Sequence, residues 1–208
     1  MHHETSIIEI SRSEENRVFQ QCAAIHIEQI TGGFLTTLGS SVLTRVYKSI
    51  AASQHAFLIV AKQDDTIQGF ICGCFDTGKL YRDVIRQNSL AFLAVGLKRV
   101  FSTKTLRKIW ETLTYPKREQ PQGIPTEEIL NFCVSSKAQR LGIGTMLMQA
   151  LAQRFLAGGV SAIRIVTGAG QKSANAFYKK IGAAKMHTFE VHQGRESFIY
   201  RLELPKIQ

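Results

Sequence analysis

Two glycines at a spacing of two, Gly142 and Gly144, stand at the mouth of an amphipathic stretch, QRLGIGTMLMQAL, that runs from Gln139 to Leu151 with Arg140 just ahead of them. Glycine weakens a helix by about 1 kcal/mol per residue against alanine, so this composition gives up local stability for access to the backbone. The first turn of a helix carries unpaired N–H groups and the positive end of the macrodipole, which together make a site for a phosphate or pyrophosphate. Bare positions at 142 and 144 let such an anion approach the main chain of Gln139, Arg140, Leu141, Gly142, Ile143, Gly144 and Thr145, with the Arg140 charge at the rim. The competing reading is a tight strand-to-helix turn in which the glycines only relieve crowding. A dinucleotide fingerprint is not met, because Leu147 stands where the third glycine belongs, and no Gly-Lys-Ser/Thr run completes a triphosphate loop.

Other reactive side chains do not cluster. Cys22, Cys72, Cys74 and Cys133 form no C-x-x-C pair and fall in helix or strand patterns, and the six histidines are scattered, so no metal site or redox pair is expected. Cys72 and Cys74 share one strand face and read as packing residues.

The elements around the glycines define how they are held. EEILNFCV reads as a strand leading into the turn, the helix from about Gly142 ends at Gly158-Gly159, and SAIRIVT is the next strand. A strand, helix, strand crossover makes the two strands parallel neighbours with the helix start at the carboxyl end of the first. Upstream, Ser11 and Glu14 have the form of a capping box before a helix from about Glu14 to Gln29, and Val42, Leu43, Val46, Tyr47 and Ile50 mark a second helix after ITGGFLTTLG. HAFLIVAK and TIQGFICGCF read as an antiparallel hairpin, QKSANAFYKKIG as a late helix, and AKMHTFEV with ESFIYRLEL as a closing hairpin. Residues 79–123 read as a helical insertion, with Leu90, Leu93, Ala94 and Leu97 on one stripe and Leu106, Ile109, Trp110 and Leu113 on another.

The 208 residues suit a single domain, residues 1–208, carrying that insertion. No apolar run reaches the roughly 20 residues that span a bilayer and the start MHHETSIIEI lacks signal-peptide form, so a cytoplasmic location is expected. The net charge of +10 is concentrated: ten basic residues fall between Lys79 and Arg118 against Asp83 and Glu111. Arg86, Lys98, Arg99, Lys104, Arg107 and Lys108 are candidates for a basic face toward an anionic ligand, an anionic membrane surface or RNA, or for a merely solvated face. Aromatics are not interleaved as a stacking platform requires, which counts against nucleic acid. Nothing in the sequence specifies an oligomeric state.

Gln139-Arg-Leu-Gly-Ile-Gly144 resembles the R/Q-x-x-G-x-G/A loop that binds the acetyl-CoA pyrophosphate in the GNAT superfamily of N-acetyltransferases, and SANAFYKKIGA resembles the late helix of the same superfamily. The resemblance covers residues 6 to 204 apart from the insertion. It implies an α/β fold with a central mixed sheet of about seven strands flanked by helices, acetyl-CoA as co-substrate without a metal, and direct transfer to a primary amine. EEILNFCVSS is similar to the strand of the histone acetyltransferase branch that carries a catalytic glutamate, which places Glu128 on that position. A base is needed because only about one lysine-like amine in 2,500 is neutral at pH 7. By strand parity Glu128 shares a face with Leu130, Phe132 and Val134, an apolar setting that raises a carboxyl pKa unless a bulge changes the parity. A solvated glutamate at a strand start is the bland alternative.

From the same resemblance, N–H groups around Cys133 and Val134 hold the thioester carbonyl oxygen, Tyr178 lies near the sulfur, and Gln171 stands where the family has asparagine. Ala183 replaces the usual phenylalanine after the helix. Tyr178 could equally be a packing residue, and Cys133 reads as buried packing before nucleophile. Phe34 and Leu35, at the gap between the first two helices, would wall an acceptor pocket or simply staple those helices. The expected acceptor is a small-molecule primary amine, for example an amino sugar nucleotide. A protein or peptide amine, or an acyl-CoA-binding protein without turnover, are the alternatives.

Overall fold

The computed structural model describes residues 4–31, 34–99, 123–192 and 195–205. One mixed sheet contains β1 (Ser6–Ile10), β2 (Ala56–Gln63), β3 (Thr66–Cys74), β4 (Glu128–Val134), β5 (Ala162–Gly168), β6 (Ala184–His192) and β7 (Arg195–Glu203). Their order is β1-β2-β3-β4-β5-β7-β6. The helices among the described residues are α1 (Asn16–Gln29), α2 (Phe34–Thr37), α3 (Ser40–Ala52), α4 (Thr77–Arg99), α5 (Ile143–Ala157) and α6 (Lys172–Lys180). Every neighbouring strand pair is antiparallel except β4 and β5, the parallel pair expected from the crossover.

Two apolar layers hold the sheet. On one face Phe19 of α1 and Leu43 and Tyr47 of α3 pack with Leu58, Val60, Phe70 and Cys72; on the other Leu147, Leu151 and Phe155 of α5 pack with Phe57, Ile59, Ile163 and Ile165. β2 therefore has no polar face, which is why AFLIVA shows no alternation. β1, a short strand paired only with β2, is the strand for which the sequence offers no clear period.

The capping box does not form. Glu15 occupies the N-cap with no side-chain cap, and the Ser11 hydroxyl instead bonds that of Ser13 at 2.7 Å, because Ser11 to Ser13 belong to the turn leaving β1. The insertion opens with α4, which kinks at Asn88. There the side-chain amide donates to the Val84 carbonyl at 2.8 Å and to the Ser49 hydroxyl of α3 at 2.7 Å, so an amide competes with the helix for its own carbonyl. Arg86 is exposed on α4. Residues 100–122, with the second apolar stripe and Lys104, Arg107 and Lys108, lie outside the described residues, as do the side chains of Lys98 and Arg99.

A polar contact crosses the α1–α3 layer: His26 Nδ1 and the Tyr47 hydroxyl, both buried, share a hydrogen bond of 2.5 Å. Burial lowers the His26 pKa to about 4. An unfolded histidine takes up its proton near pH 6.5, so between that pH and about 4 the unfolded chain binds more protons than the folded one. Stability accordingly falls as the pH is lowered through this window, by on the order of 3 kcal/mol from His26 alone. Urea unfolding at pH 7 and pH 4.5 tests this. The His26→Gln variant should lose much less stability between the two conditions than the wild type, and an equal loss would assign the effect to other groups.

Candidate active site

β4 and β5 share two register pairs, Glu128↔Arg164 and Ile129↔Ile165, and then part. β4 stays paired to β3 as far as Val134, and β5 to β7 as far as Gly168, so the edges facing each other across the gap have no strand partner. The result is a V, closed at Glu128 and open at the carboxyl ends of both strands.

A bulge accompanies the parting. Asn131 opposes Cys72 and Ile129 opposes Gly73, which leaves Leu130 as an extra residue in β4. The side-chain alternation flips there. Leu130 and Cys133 pack on the α1–α3 side, whereas Ile129, Phe132 and Val134 pack on the α5 side. The expected common face of Glu128, Leu130, Phe132 and Val134 is thus broken: Glu128 lies opposite Cys74, on the α1–α3 side, and Phe132 and Val134 turn away from it. The main chain alternates too. Ser135 donates its N–H to Gln68 of β3 at 2.8 Å, so Val134 turns its N–H into the opening and Cys133 turns its own toward β3.

The glycine turn sits at the open end. Gly142 caps α5 in the left-handed region at φ 82°, and Arg140 is left-handed at φ 63°, a costly conformation for a residue with a Cβ. Thr145 and Met146 both donate to the Gly142 carbonyl, at 2.9 and 3.1 Å, so the N–H groups of Ile143 and Gly144 ahead of them have no helical acceptor. A Cβ at Gly142 would meet nothing within 4 Å, and one at Gly144 would touch Phe132 at an ordinary 3.4 Å. Neither glycine relieves crowding within the chain. Gly142 is required by its handedness, and the space it leaves bare is open to a ligand.

The turn is braced from behind. Gln139 donates from its amide to Gln29 Oε1 of α1 at 2.8 Å and to the Val134 carbonyl at 3.2 Å, and Ser136 donates through its N–H and hydroxyl to Glu28. Arg140 and Leu141 are exposed, Leu141 to 70%, which leaves this rim of the turn bare.

The remaining candidates take up different positions. Glu128 is neither solvated nor alone: it is 6% exposed and pairs with Arg164 of β5, itself 1% exposed, at 2.6 Å. Burial holds its carboxyl above the ordinary range, against the pull of Arg164 and a hydrogen bond from Thr77. Tyr178 on α6 is buried near Tyr200, and burial, then the nearby Cys133 thiol, push its hydroxyl pKa up. Burial also pushes the Cys133 thiol up to about 12, which leaves it protonated and a poor nucleophile. Gln171 is exposed before α6, its side-chain oxygen accepting from Thr167 at 3.0 Å. Ala183 is buried. Leu35 packs on the α1–α3 layer, and Phe34 begins α2. The turn and α5 therefore lie on one face of the sheet, Glu128 and Leu35 on the other, and the V connects the two.

Sequence reasoning missed Arg164, Thr77, Phe132 and Phe177. Arg164 had a signal, since a charge inside the apolar run SAIRIVT requires a buried partner. Phe132 and Phe177 meet edge to face at 5.5 Å beside Gly144, joining β4 to α6, but the bulge hid the facing of Phe132. Thr77 carried no signal at all. Among the described residues no group of three or more His, Cys, Asp or Glu could hold a metal, and no helix is long and apolar enough to cross a membrane.

A parallel pair thus parts beside a helix start with free N–H groups, which sets a site for an anion at the mouth of an open sheet. The chain belongs to the acetyltransferase (GNAT) family, whose model matches residues 27–183. Similar folds include a GNAT-family acetyltransferase of Desulfovibrio desulfuricans, with TM-score 0.61, 14% identity and coverage of 97% of this chain and 100% of that one. An aminoglycoside 6'-acetyltransferase type Ii superposes with TM-score 0.61 and 14% identity over 98% and 99% of the two chains. The ribosomal-protein-S18-alanine N-acetyltransferase of Escherichia coli gives 0.59 and 11% over 99% and 97%. Among curated proteins, none matches the sequence.

The two glycines make separable predictions. Gly142→Ala forces a Cβ into a left-handed cap at a cost of about 1–2 kcal/mol, and should weaken coenzyme A binding about tenfold by calorimetry. Gly144→Ala should stay within about threefold of the wild type. Equal losses in both variants would contradict this division of roles.

Proposed function

We propose that the protein transfers an acetyl group from acetyl-CoA directly to a primary amine of a small molecule, with an amino sugar nucleotide as the favoured acceptor. The observation that carries this reading is the glycine turn, with unpaired N–H groups at Ile143 and Gly144 and open space over Gly142, set at the open end of the V. Main-chain N–H groups from Leu141 to Gly144 hold the diphosphate, Thr145 closes the turn through its bond to the Gly142 carbonyl, Arg140 adds charge, and Gln171, after the end of β5, offers its side-chain amide. Gln139 acts as a brace for that turn. Acetyl-CoA, when bound, supplies the thioester acyl group.

The other steps belong to the chain. The Val134 N–H faces the opening and donates to the thioester carbonyl oxygen, with Cys133 contributing its place in the strand. Glu128, on the opposite face, accepts the proton of the incoming ammonium, and its raised pKa makes it a better base than an ordinary carboxylate. Tyr178 donates a hydrogen bond to the sulfur. Full proton transfer from a free tyrosine to a thiolate is uphill by about 2 kcal/mol, and burial makes the hydroxyl hold its proton more tightly still, so the contribution is orientation more than acidity. Leu35 of α2 walls the acceptor side, with Phe34 next to it in the chain. The basic α4 suits a phosphorylated acceptor better than a neutral one, and four buried free cysteines suit a cytoplasmic setting.

Thiol release from acetyl-CoA tests this against an amino sugar nucleotide, an aminoglycoside and an N-terminal peptide. Amine-dependent release, strongest with the nucleotide-linked sugar, is expected. Glu128→Gln should lower kcat/KM by about a hundredfold or more, and Tyr178→Phe by about tenfold. Strongest release with the peptide would move the acceptor to the protein class, and coenzyme A binding without release on any amine would leave a binder that does not turn over.

A further inference from the structure

Three polar side chains meet at the closed end of the V, each from a different element. Glu128 is the first residue of β4, Arg164 lies in β5, and Thr77 is the first residue of α4. Glu128 Oε2 accepts both Arg164 bonds, from Nε at 2.9 Å and Nη2 at 2.6 Å, and Thr77 donates to the same carboxylate. The two charged residues are also register partners, and the Arg164 N–H donates to the Glu127 carbonyl at 2.7 Å. Among the described residues, Arg164 and Thr77 are the groups of β5 and α4 that act on the carboxylate, and from β3 it is faced by Cys74, whose thiol burial pushes up to about 12.

We propose that Arg164 and Thr77 are positioning residues for the base, fixing the charge and the orientation of Glu128 for the acceptor's proton. The inference rests on reading Glu128 as that base. A carboxyl this deeply buried, given no counter-charge, is neutral at pH 7 and accepts nothing. A carboxylate wholly neutralised by a bidentate arginine is too weak a base. The geometry lies between these limits. The Nε and Nη2 contacts of Arg164 both fall on Oε2, Thr77 takes a single lone pair, and an ionised carboxylate offers about four acceptor sites, so these three contacts leave about one for a proton arriving through the V. Burial then keeps the group more basic than a solvated glutamate while Arg164 keeps it charged.

A simple clasp between β4 and β5 would use the same contacts and shift the same carboxyl titration, so the roles are separated by whether the acid limb of kcat/KM follows that titration. The Glu128 carboxyl carbon is followed by 13C NMR from pH 4 to 10, assigned by its loss in Glu128→Gln, which requires no acceptor. Removing a positive charge or a hydrogen bond from the ionised form raises a carboxyl pKa. Thr77→Val should therefore move the titration upward by about half a pH unit or more, and Thr77→Ser should restore it. Arg164→Lys should move it upward less than Arg164→Met does. The acid limb of kcat/KM, measured with the best amine of the panel, should shift in parallel. If the arginine variants do not fold, the threonine pair decides. An acid limb of kcat/KM that stays where it is in Thr77→Val and Arg164→Lys while the Glu128 titration moves, with an inactive Glu128→Gln, would overturn the positioning roles alone. A fully active Glu128→Gln would remove the base reading and this inference together.

Discussion

The parting of β4 from β5 after two register pairs is the constraint on which the rest of the molecule depends. A sheet interior does not tolerate unpaired main-chain groups without partners. Here the flanking strands β3 and β7 remain fully paired, so the opening is held by rigid walls and its unpaired groups are available to a ligand. The helix that follows β4 starts at the mouth of the same opening, because a right-handed crossover returns over the face that carries α5. Donor chemistry and strand separation are thus brought together by topology before any particular side chain is considered.

The bulge at Leu130 then sorts the side chains. By turning Phe132 and Val134 to one face and leaving Glu128 and Cys133 on the other, it puts apolar packing under the glycine turn and the titratable groups toward α1 and α3. The buried Glu128–Arg164 pair is expensive in isolation, since desolvation of both charges offsets much of their attraction. Its position at the vertex, with Thr77 from α4 as a third member, ties three elements where the sheet would otherwise be weakest.

Much of this was legible in the sequence. The crossover and the hairpins follow from glycine placement and apolar period, and the motifs around Gly142 and Tyr178 pointed to the GNAT family. What resisted reading had physical causes. The bulge is a backbone event that no residue type announces, so parity arguments for Glu128 failed beyond Leu130. Ser11 and Glu14 matched a capping pattern, but strand β1 claims the preceding residues and the helix starts later. The partner of Glu128 lay thirty-six residues away in sequence, and only the out-of-place charge in SAIRIVT hinted at it.

The bracing of the turn by α1 has one more consequence. Gln29 and Glu28, in the last turn of α1, hold Gln139 and Ser136, and the same helix leads directly into the segment that begins α2 on the other face. Any ligand that shifts the end of α1 also shifts the glycine turn braced against it. Thermodynamic linkage makes such coupling mutual: whatever factor the first ligand imposes on the second, the second returns to the first. The side chains of one helical turn thus join the two faces of the sheet, and a displacement at either is felt at the other.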